Sequence, residues 1–277
     1  MTSGGSSIVE WRTDIDGGQV STCPGERAVY AIGDVHGRYD LAKALLSAIV
    51  ADIRTLPDEA DPLIVFLGDY VDRGPQSADV LSMLVWMMRH APCETTFLKG
   101  NHEAMLLAFL DAPREAGAWL RFGGEATLRS YGVEIGDDEV AEDRYEALRD
   151  TFMDRLPSSH LEALRQLPTS LICGDYVFVH AGLRPGISLA RQSDDDRLWI
   201  RRDFLAAEHA FEKTVVHGHT WDSQDPVVTQ TRIGIDTGAY RTGVLTALRL
   251  VGSTQAFLQA RATDEITVVS LQDSSDR

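Results

Sequence analysis

The sequence predicts a mixed α/β fold in which β-structure is flanked by helices. Three observations carry this. Up to Gly100, short apolar runs that end in glycine alternate with segments of helical periodicity. Beyond Leu167 the chain is rich in strand-like runs. Its 277 residues, 44% apolar and 25% charged, have the length and balance of one large folded domain with a proper core.

Residues 1–25 read as a flexible, glycine-rich lead-in. The segment 1–18 lacks the basic and apolar regions of a signal peptide. Ala28–Gly33 is a buried strand ending in a glycine turn, and Leu41–Ile53 a helix. Leu63–Leu67 is a second strand, ending at Gly68, and Gln76–Arg89 a second helix. Within that helix, Met83–Met88 reads as core. Thr95–Leu98 is a third strand, ending at Gly100. This order is that of a sheet covered by helices. Residues 103–167 form a helical insertion that carries an acidic stretch, Glu134–Asp143, read as a solvated loop. Strand signals return at Leu171–Cys173, Tyr176–Val179, Thr214–Val216, Val227–Thr229, Ile233–Ile235, Val244–Leu250, Ala256–Gln259 and Ile266–Leu271. Residues 26–272 thus read as a single domain and 273–277 as a polar tail.

The net charge is −16, and only Lys43, Lys99 and Lys213 are lysines. Long-range repulsion argues against nucleic acid polymers and anionic membranes as partners. No apolar run approaches the ~20 residues that span a bilayer. Cys23, Cys93 and Cys173 are too few and too far apart for a disulfide framework or a zinc knuckle. Reduced thiols in a cytoplasmic protein are the expectation.

The chemistry lies where the strands end. Five of them run into Gly33-Asp34-Val35-His36-Gly37, Gly68-Asp69-Tyr70-Val71-Asp72-Arg73-Gly74, Gly100-Asn101-His102-Glu103, His180-Ala181-Gly182 and His217-Gly218-His219-Thr220. Ligands of open α/β sheets bind outside the carboxyl ends of strands. Five loops at one edge bring carboxylates, an amide and imidazoles to one cleft. Such donors, without thiolate, suit Mn, Fe, Zn or Mg. They suffice for two ions, and one carboxylate can bridge both. Two ions ~3.5–4 Å apart can hold a hydroxide and clamp a phosphoryl group.

In this order and spacing, the motifs resemble the metal-dependent phosphoprotein phosphatase family, a branch of the calcineurin-like metallophosphoesterases that also contains bacterial diadenosine tetraphosphatases. The similar segment Ile235–Ala239 extends the match over most of the chain. The resemblance implies a central β-sandwich flanked by helices, the calcineurin-like metallophosphoesterase fold. It implies that Asp34 and His36 bind a first divalent metal, that Asp69 bridges, and that Asn101, His180 and His219 complete a second site. His102 would be the general acid, oriented by Asp72, and Arg73 would bind phosphate oxygens. Arg201 matches a second phosphate-binding arginine less tightly, since Arg197 and Arg202 are close by. A carboxylate beside His102 favours its protonated form, and arginine can fork two N–H groups onto one phosphoryl group.

Lys99 precedes Gly100 where many protein phosphatases of the family have arginine, and Gly123-Gly124-Glu125-Ala126-Thr127-Leu128 resembles an insertion of bacterial relatives. His90, His160 and His209 read as surface or cap residues. His217 either supports a metal ligand or fills a strand end, and Arg184 either reaches substrate or stays on the surface. Asp194-Asp195-Asp196 lacks the spacing of a calcium loop and reads as a solvated loop. The expectation is a phosphatase with two divalent ions, manganese first and iron, zinc or magnesium as alternatives. It would act on phosphomonoesters of serine and threonine in proteins, with phosphotyrosine as a further substrate. The alternatives are a bis(5′-nucleosyl)-tetraphosphatase-like nucleotide hydrolase and a non-catalytic phosphate-binding protein.

Overall fold

Alternation along the strands decides the architecture. In the computed structural model, which describes residues 6–12, 21–23, 27–136, 140–207 and 211–263, Val29 and Ala31 face one side of their strand, and Tyr30 and Ile32 the other. Both sides are apolar, so both must be covered.

One mixed sheet has the order β1-β11-β10-β2-β3-β4. Its strands are β1 (Ser6–Arg12), β2 (Arg27–Ile32), β3 (Asp61–Phe66), β4 (Glu94–Phe97), β10 (Val244–Val251) and β11 (Thr254–Thr263). The other has the order β5-β6-β7-β9-β8. It contains β5 (Ser170–Cys173), β6 (Tyr176–Val179), β7 (Thr214–His217), β8 (Val227–Val228) and β9 (Arg232–Gly234). A buried cluster that includes Val29, Val65, Leu248, Phe178, Val216 and Ile233 lies between the sheets and makes them a sandwich.

Outside the first sheet pack α1 (Tyr39–Ile53), α2 (Ser77–His90) and the insertion. The insertion comprises α3 (Asn101–Asp111), α4 (Pro113–Ala116), a kinked turn Leu120–Gly124, α5 (Glu125–Ser130), α6 (Tyr145–Met153) and α7 (Ser158–Gln166). Leu41, Leu45 and Ile49 recur at helical spacing and are fully buried. Outside the second sheet, α8 (Asp194–Trp199) and α9 (Arg202–Leu205) set Ile200 and Phe204 against Val177 and Val215. The short α10 (Ala239–Thr242) precedes β10.

Strands β2, β3 and β4 are parallel, and so are β6, β7 and β9. Every motif loop therefore leaves its sheet at a carboxyl end.

Several local readings need correction. The lead-in is not loose throughout: Ser6–Arg12 pairs antiparallel with β11, because Ile8, Val9 and Trp11 suit a pleated edge. The acidic Asp194–Asp196 run is the first turn of α8, capped by the Ser193 hydroxyl, where negative charge suits the helix dipole. In Met83–Met88 only Leu84 and Met87 are buried, while Trp86 is 57% and Met88 46% exposed, since one helix face alone meets the core. His160 is buried in the contact of α7 with α2, its ring nitrogens bonded to the Tyr131 and Ser82 hydroxyls. His209, residues 137–139 of the acidic stretch, the strand signal at Ile266–Leu271 and the polar tail lie outside the described residues.

Candidate metal centre

Asp34 and His36 follow β2, Asp69 follows β3, and Asn101 and His102 follow β4. His180 follows β6 and His219 follows β7. All seven are buried in one cluster. Two groups of donor atoms converge there: His36, Asp69 and His102 in one, Asp69, His180 and His219 in the other. Within each group the ligand atoms lie within 4.8 Å of one another. Asp69 belongs to both. One carboxylate oxygen lies 3.3 Å from His36 Nε2, the other 3.4 Å from His180 Nε2.

The tautomers are fixed from behind. His36 Nδ1–H donates to the Val71 carbonyl at 2.8 Å, and His180 Nδ1–H to the Leu67 carbonyl at 2.9 Å. Each Nε2 lone pair then faces the centre, the arrangement of a metal-binding imidazole. Asn101 Oδ1 lies 2.8 Å from His180 Nε2 and 2.9 Å from His219 Nδ1. Burial, then His180, hold the His219 ring down to about 2, so it stays neutral. Burial opposes the Asp69 carboxylate, but His180, His102 and His36 around it hold it well below the usual range.

Asp34 faces the centre from the end of β2, in the same sheet as the strand before Asp69, and meets groups from the other sheet. Both its oxygens accept the His219 main-chain N–H, at 3.2 and 3.0 Å. Burial, then Asp236 and Asp69, raise its carboxyl well above the usual range. Asp236, after β9, is pushed up to about 7, chiefly by burial. Three carboxyl groups buried in one pocket are neutralised either by protons, the direction in which Asp34 and Asp236 are shifted, or by cations. Together with the converging lone pairs, this donor set fits a pair of divalent ions.

His102 Nδ1 sits 2.7 Å from Asp72 Oδ2, and its Nε2 faces Arg73 Nη2 at 2.9 Å. Burial opposes its protonation, but the Asp69 and Asp72 carboxylates outweigh burial and raise its pKa. The other Arg73 nitrogen, Nη1, meets His36 Nε2 at 2.9 Å. Arg201 Nε donates to His219 Nε2 at 2.9 Å. Both guanidinium groups thus enter the centre.

The glycines of the motifs make room. A Cβ on Gly100 would lie 2.1 Å from Asp69 Oδ1, and one on Gly218 2.0 Å from Asp34 Oδ1.

Several further residues support the centre without a role that the motifs indicate. Glu103 is fully buried and accepts the main-chain N–H groups of Asp69, Tyr70, Val71 and Gly100. Its place three residues after Gly100, at the start of α3, marks a capping position. Asp236 is visible only as an acid inside the Ile235–Ala239 segment. The Tyr240 ring lies 4.7 Å beneath the Arg73 guanidinium. Trp119, Thr127 and Ser77 surround Asp72, and no sequence signal connects them to it. His217 makes its hydrogen bonds away from the candidate metal ligands. Its Nδ1–H donates to the Gly218 carbonyl, its Nε2 accepts from Arg232, and Phe204 packs on its ring. Arg184 stays on the surface, paired with Asp196 and Asp203.

A two-sheet sandwich with a buried oxygen and imidazole centre at its strand ends defines a metallophosphoesterase. The chain belongs to the calcineurin-like phosphoesterase family, whose pattern matches residues 28–236. The family implies a dinuclear divalent metal site. It is 26% identical over 259 residues to bis(5′-nucleosyl)-tetraphosphatase PrpE [asymmetrical] of Oceanobacillus iheyensis, covering 84% of this chain and 95% of that protein. Against serine/threonine-protein phosphatase 2 of Escherichia coli it is 35% identical over 99 residues, 36% of this chain and 39% of that one. Among solved structures, a candidate diadenosine tetraphosphatase superposes with a TM-score of 0.56 at 20% identity, covering 89% of this chain and 98% of that one. No described helix is long and apolar enough to cross a membrane.

Proposed function

We propose that the protein is a two-metal hydrolase of phosphoric esters and anhydrides whose substrate is a dinucleoside tetraphosphate. The sharing of Asp69 between two donor groups, beside the His102–Asp72 pair, supports the reaction class. Asp34, His36 and Asp69 would hold one ion, and Asp69, Asn101, His180 and His219 the other. Bound ions, manganese first among the candidates, supply an activated water and neutralise phosphate charge.

The chain's own groups do the rest. Arg73 and Arg201 turn from imidazole nitrogens to phosphoryl oxygens and orient the group for in-line attack. His102, whose pKa the two carboxylates facing it raise against burial, would give a proton to the leaving oxygen through Nε2 once Arg73 has turned to the phosphoryl group. Asp72 keeps the other proton on Nδ1 and fixes the ring. The reading places the enzyme in the cytoplasm, which suits three cysteines that are all free thiols.

For the substrate, the observation that carries the reading is sequence similarity to tetraphosphatases over 84% of this chain, where the match to a serine/threonine phosphatase spans 36% of it. The rim agrees. Phe122, next to Gly123, whose carbonyl accepts the Arg73 main-chain N–H, is 58% exposed, and Trp199, two residues before Arg201, is 41% exposed. Trp199 lines a cleft of about 280 Å³ with Arg201 and Arg202. Exposed rings beside phosphate-binding arginines suit stacking of nucleobases. A phosphoprotein substrate is the second reading, favoured by the 35% identity across 99 residues to a serine/threonine phosphatase.

A panel run with the Mn²⁺-loaded protein separates the two. Diadenosine tetraphosphate should be turned over faster than phosphoserine, phosphothreonine and phosphotyrosine peptides, giving a nucleoside triphosphate and a monophosphate. Faster peptide turnover would establish the second reading. Hydrolysis of neither would leave a phosphate-binding protein.

A further inference from the structure

The Gly123–Leu128 segment of the insertion does not contribute to either donor group, yet it lies against the proposed acid pair. Thr127 is fully buried and Trp119 is 1% exposed. The Thr127 hydroxyl makes a two-way clamp on one residue. It donates to Asp72 Oδ1 at 2.6 Å and accepts the Asp72 main-chain N–H at 2.8 Å. Trp119 Nε1–H donates to Asp72 Oδ2 at 2.7 Å, the same oxygen that receives His102 Nδ1–H. The Ser77 hydroxyl lies 3.1 Å from both the Asp72 N–H and Thr127 Oγ1.

The backbone needs this help. Asp72 and Arg73 sit at φ 74° and 67°, in the left-handed region that side-chain-bearing residues avoid. Gly123, itself at φ 114°, turns its carbonyl onto the Arg73 N–H at 3.1 Å. A Cβ there would lie 2.8 Å from the Arg73 main-chain nitrogen. The insertion therefore grips Asp72 by its carboxylate and both left-handed residues by their main-chain N–H groups.

We propose that Thr127 and Trp119 are positioning residues for proton donation. They fix the Asp72 carboxylate in the one orientation that keeps a proton on His102 Nδ1 and points Nε2 at the leaving oxygen. Neither is placed to touch substrate or metal, and the inference rests on the reading of His102 as the acid. No bond changes at either residue. Their hydrogen bonds hold Asp72 while His102 Nε2 gives up its proton.

The experiment compares Thr127→Val, Thr127→Ser, Trp119→Phe and His102→Asn on phenyl phosphate, a poor leaving group, and 4-nitrophenyl phosphate, a good one. Thr127→Val and Trp119→Phe should each lower kcat on phenyl phosphate by ~10-fold or more, as loss of an outer hydrogen-bond partner does. On 4-nitrophenyl phosphate the loss should be several times smaller, with KM and bound metal unchanged. Thr127→Ser, which keeps the hydroxyl, should restore both rates. His102→Asn should show the same discrimination more strongly, with a loss of ~10²-fold or more on phenyl phosphate. Proton NMR gives a readout that needs no turnover: the downfield His102 Nδ1–H signal should weaken or move upfield in Thr127→Val and Trp119→Phe, and persist in Thr127→Ser. If Thr127→Val does not fold, Trp119→Phe and Thr127→Ser carry the test. Equal losses on both substrates, or an unchanged Nδ1–H signal, overturn the proposal. If His102→Asn itself fails to discriminate, the reading of His102 as the acid falls. Discrimination by His102→Asn without any by Thr127→Val and Trp119→Phe removes the positioning role alone.

Discussion

Asp69 stands at φ 51°, one of five residues other than glycine with positive φ among the described residues. The others are His36, Asp72, Arg73 and His219. All five belong to the candidate site. Each such residue costs on the order of 1–2 kcal/mol, a strain that the rest of the structure must offset. Asparagine tolerates the left-handed region as well as aspartate does. Asp69→Asn therefore keeps the backbone turn and removes the bridging charge. Elemental analysis of the variant should show that both metals are lowered together. Full retention of two ions would contradict bridging. Asp34, His36 and Asp69 were legible in the sequence as candidates because they lie in loops that begin at a strand-ending glycine, and the resemblance implies their roles. Those of Thr127 and Trp119 were not, because they reach Asp72 from positions 55 and 47 residues away.

At the scale of elements, each sheet brings candidate site residues in just beyond the carboxyl ends of parallel strands, and β7 shows how tightly that end is built. His217 closes the strand, and burial holds its ring down to about 3, against an ordinary value of 6.5. Between those values the unfolded ring takes up a proton that the folded ring refuses. The unfolded state then binds more protons, so this residue makes stability fall as pH drops from 6.5 toward 3. The slope is at most about 1.4 kcal/mol per pH unit. Glu103, raised to about 7 chiefly by burial, acts with the opposite sign as pH falls from about 7 to 4.5. The contribution of His217 is therefore read as a difference. Melting temperatures of the wild type and His217→Gln between pH 7 and 5 should converge as pH falls. Parallel curves would mean that the ring is protonated in the fold. The sequence left two readings of this histidine open, because nothing in it shows which way the Nε2 of a strand-end residue points.

For the whole molecule, the −16 net charge and the proposed site have opposite signs. With two divalent ions, Arg73 and Arg201, the cleft becomes a local positive field on an acidic surface, suited to a small polyphosphate rather than an extended polyanion. The same ions should stabilise the fold. They bind the native centre, where Asp34, Asp69 and Asp236 are buried together, and not the dispersed ligands of the unfolded chain. At 100 times its Kd, one ion contributes ~2.7 kcal/mol. Stripping the metals with EDTA should lower the melting temperature by ~5 °C or more, and Mn²⁺ should restore it. An unchanged melting curve would mean that the centre is equally stable without ions.

The sequence by itself determined the class of fold, the loops that carry the chemistry and the residue types in them. Local signals suffice for those: period-two and helical apolar patterns, glycines at strand ends, and acids and imidazoles just beyond them. Tertiary structure alone decided the rest. It joined β1 to β11, buried His160 between helices, paired Asp34 with Asp236 and wrapped the insertion around Asp72. These contacts join residues far apart in the chain. Their geometry follows from how sheets and helices pack, and no local pattern of apolar and polar residues records it.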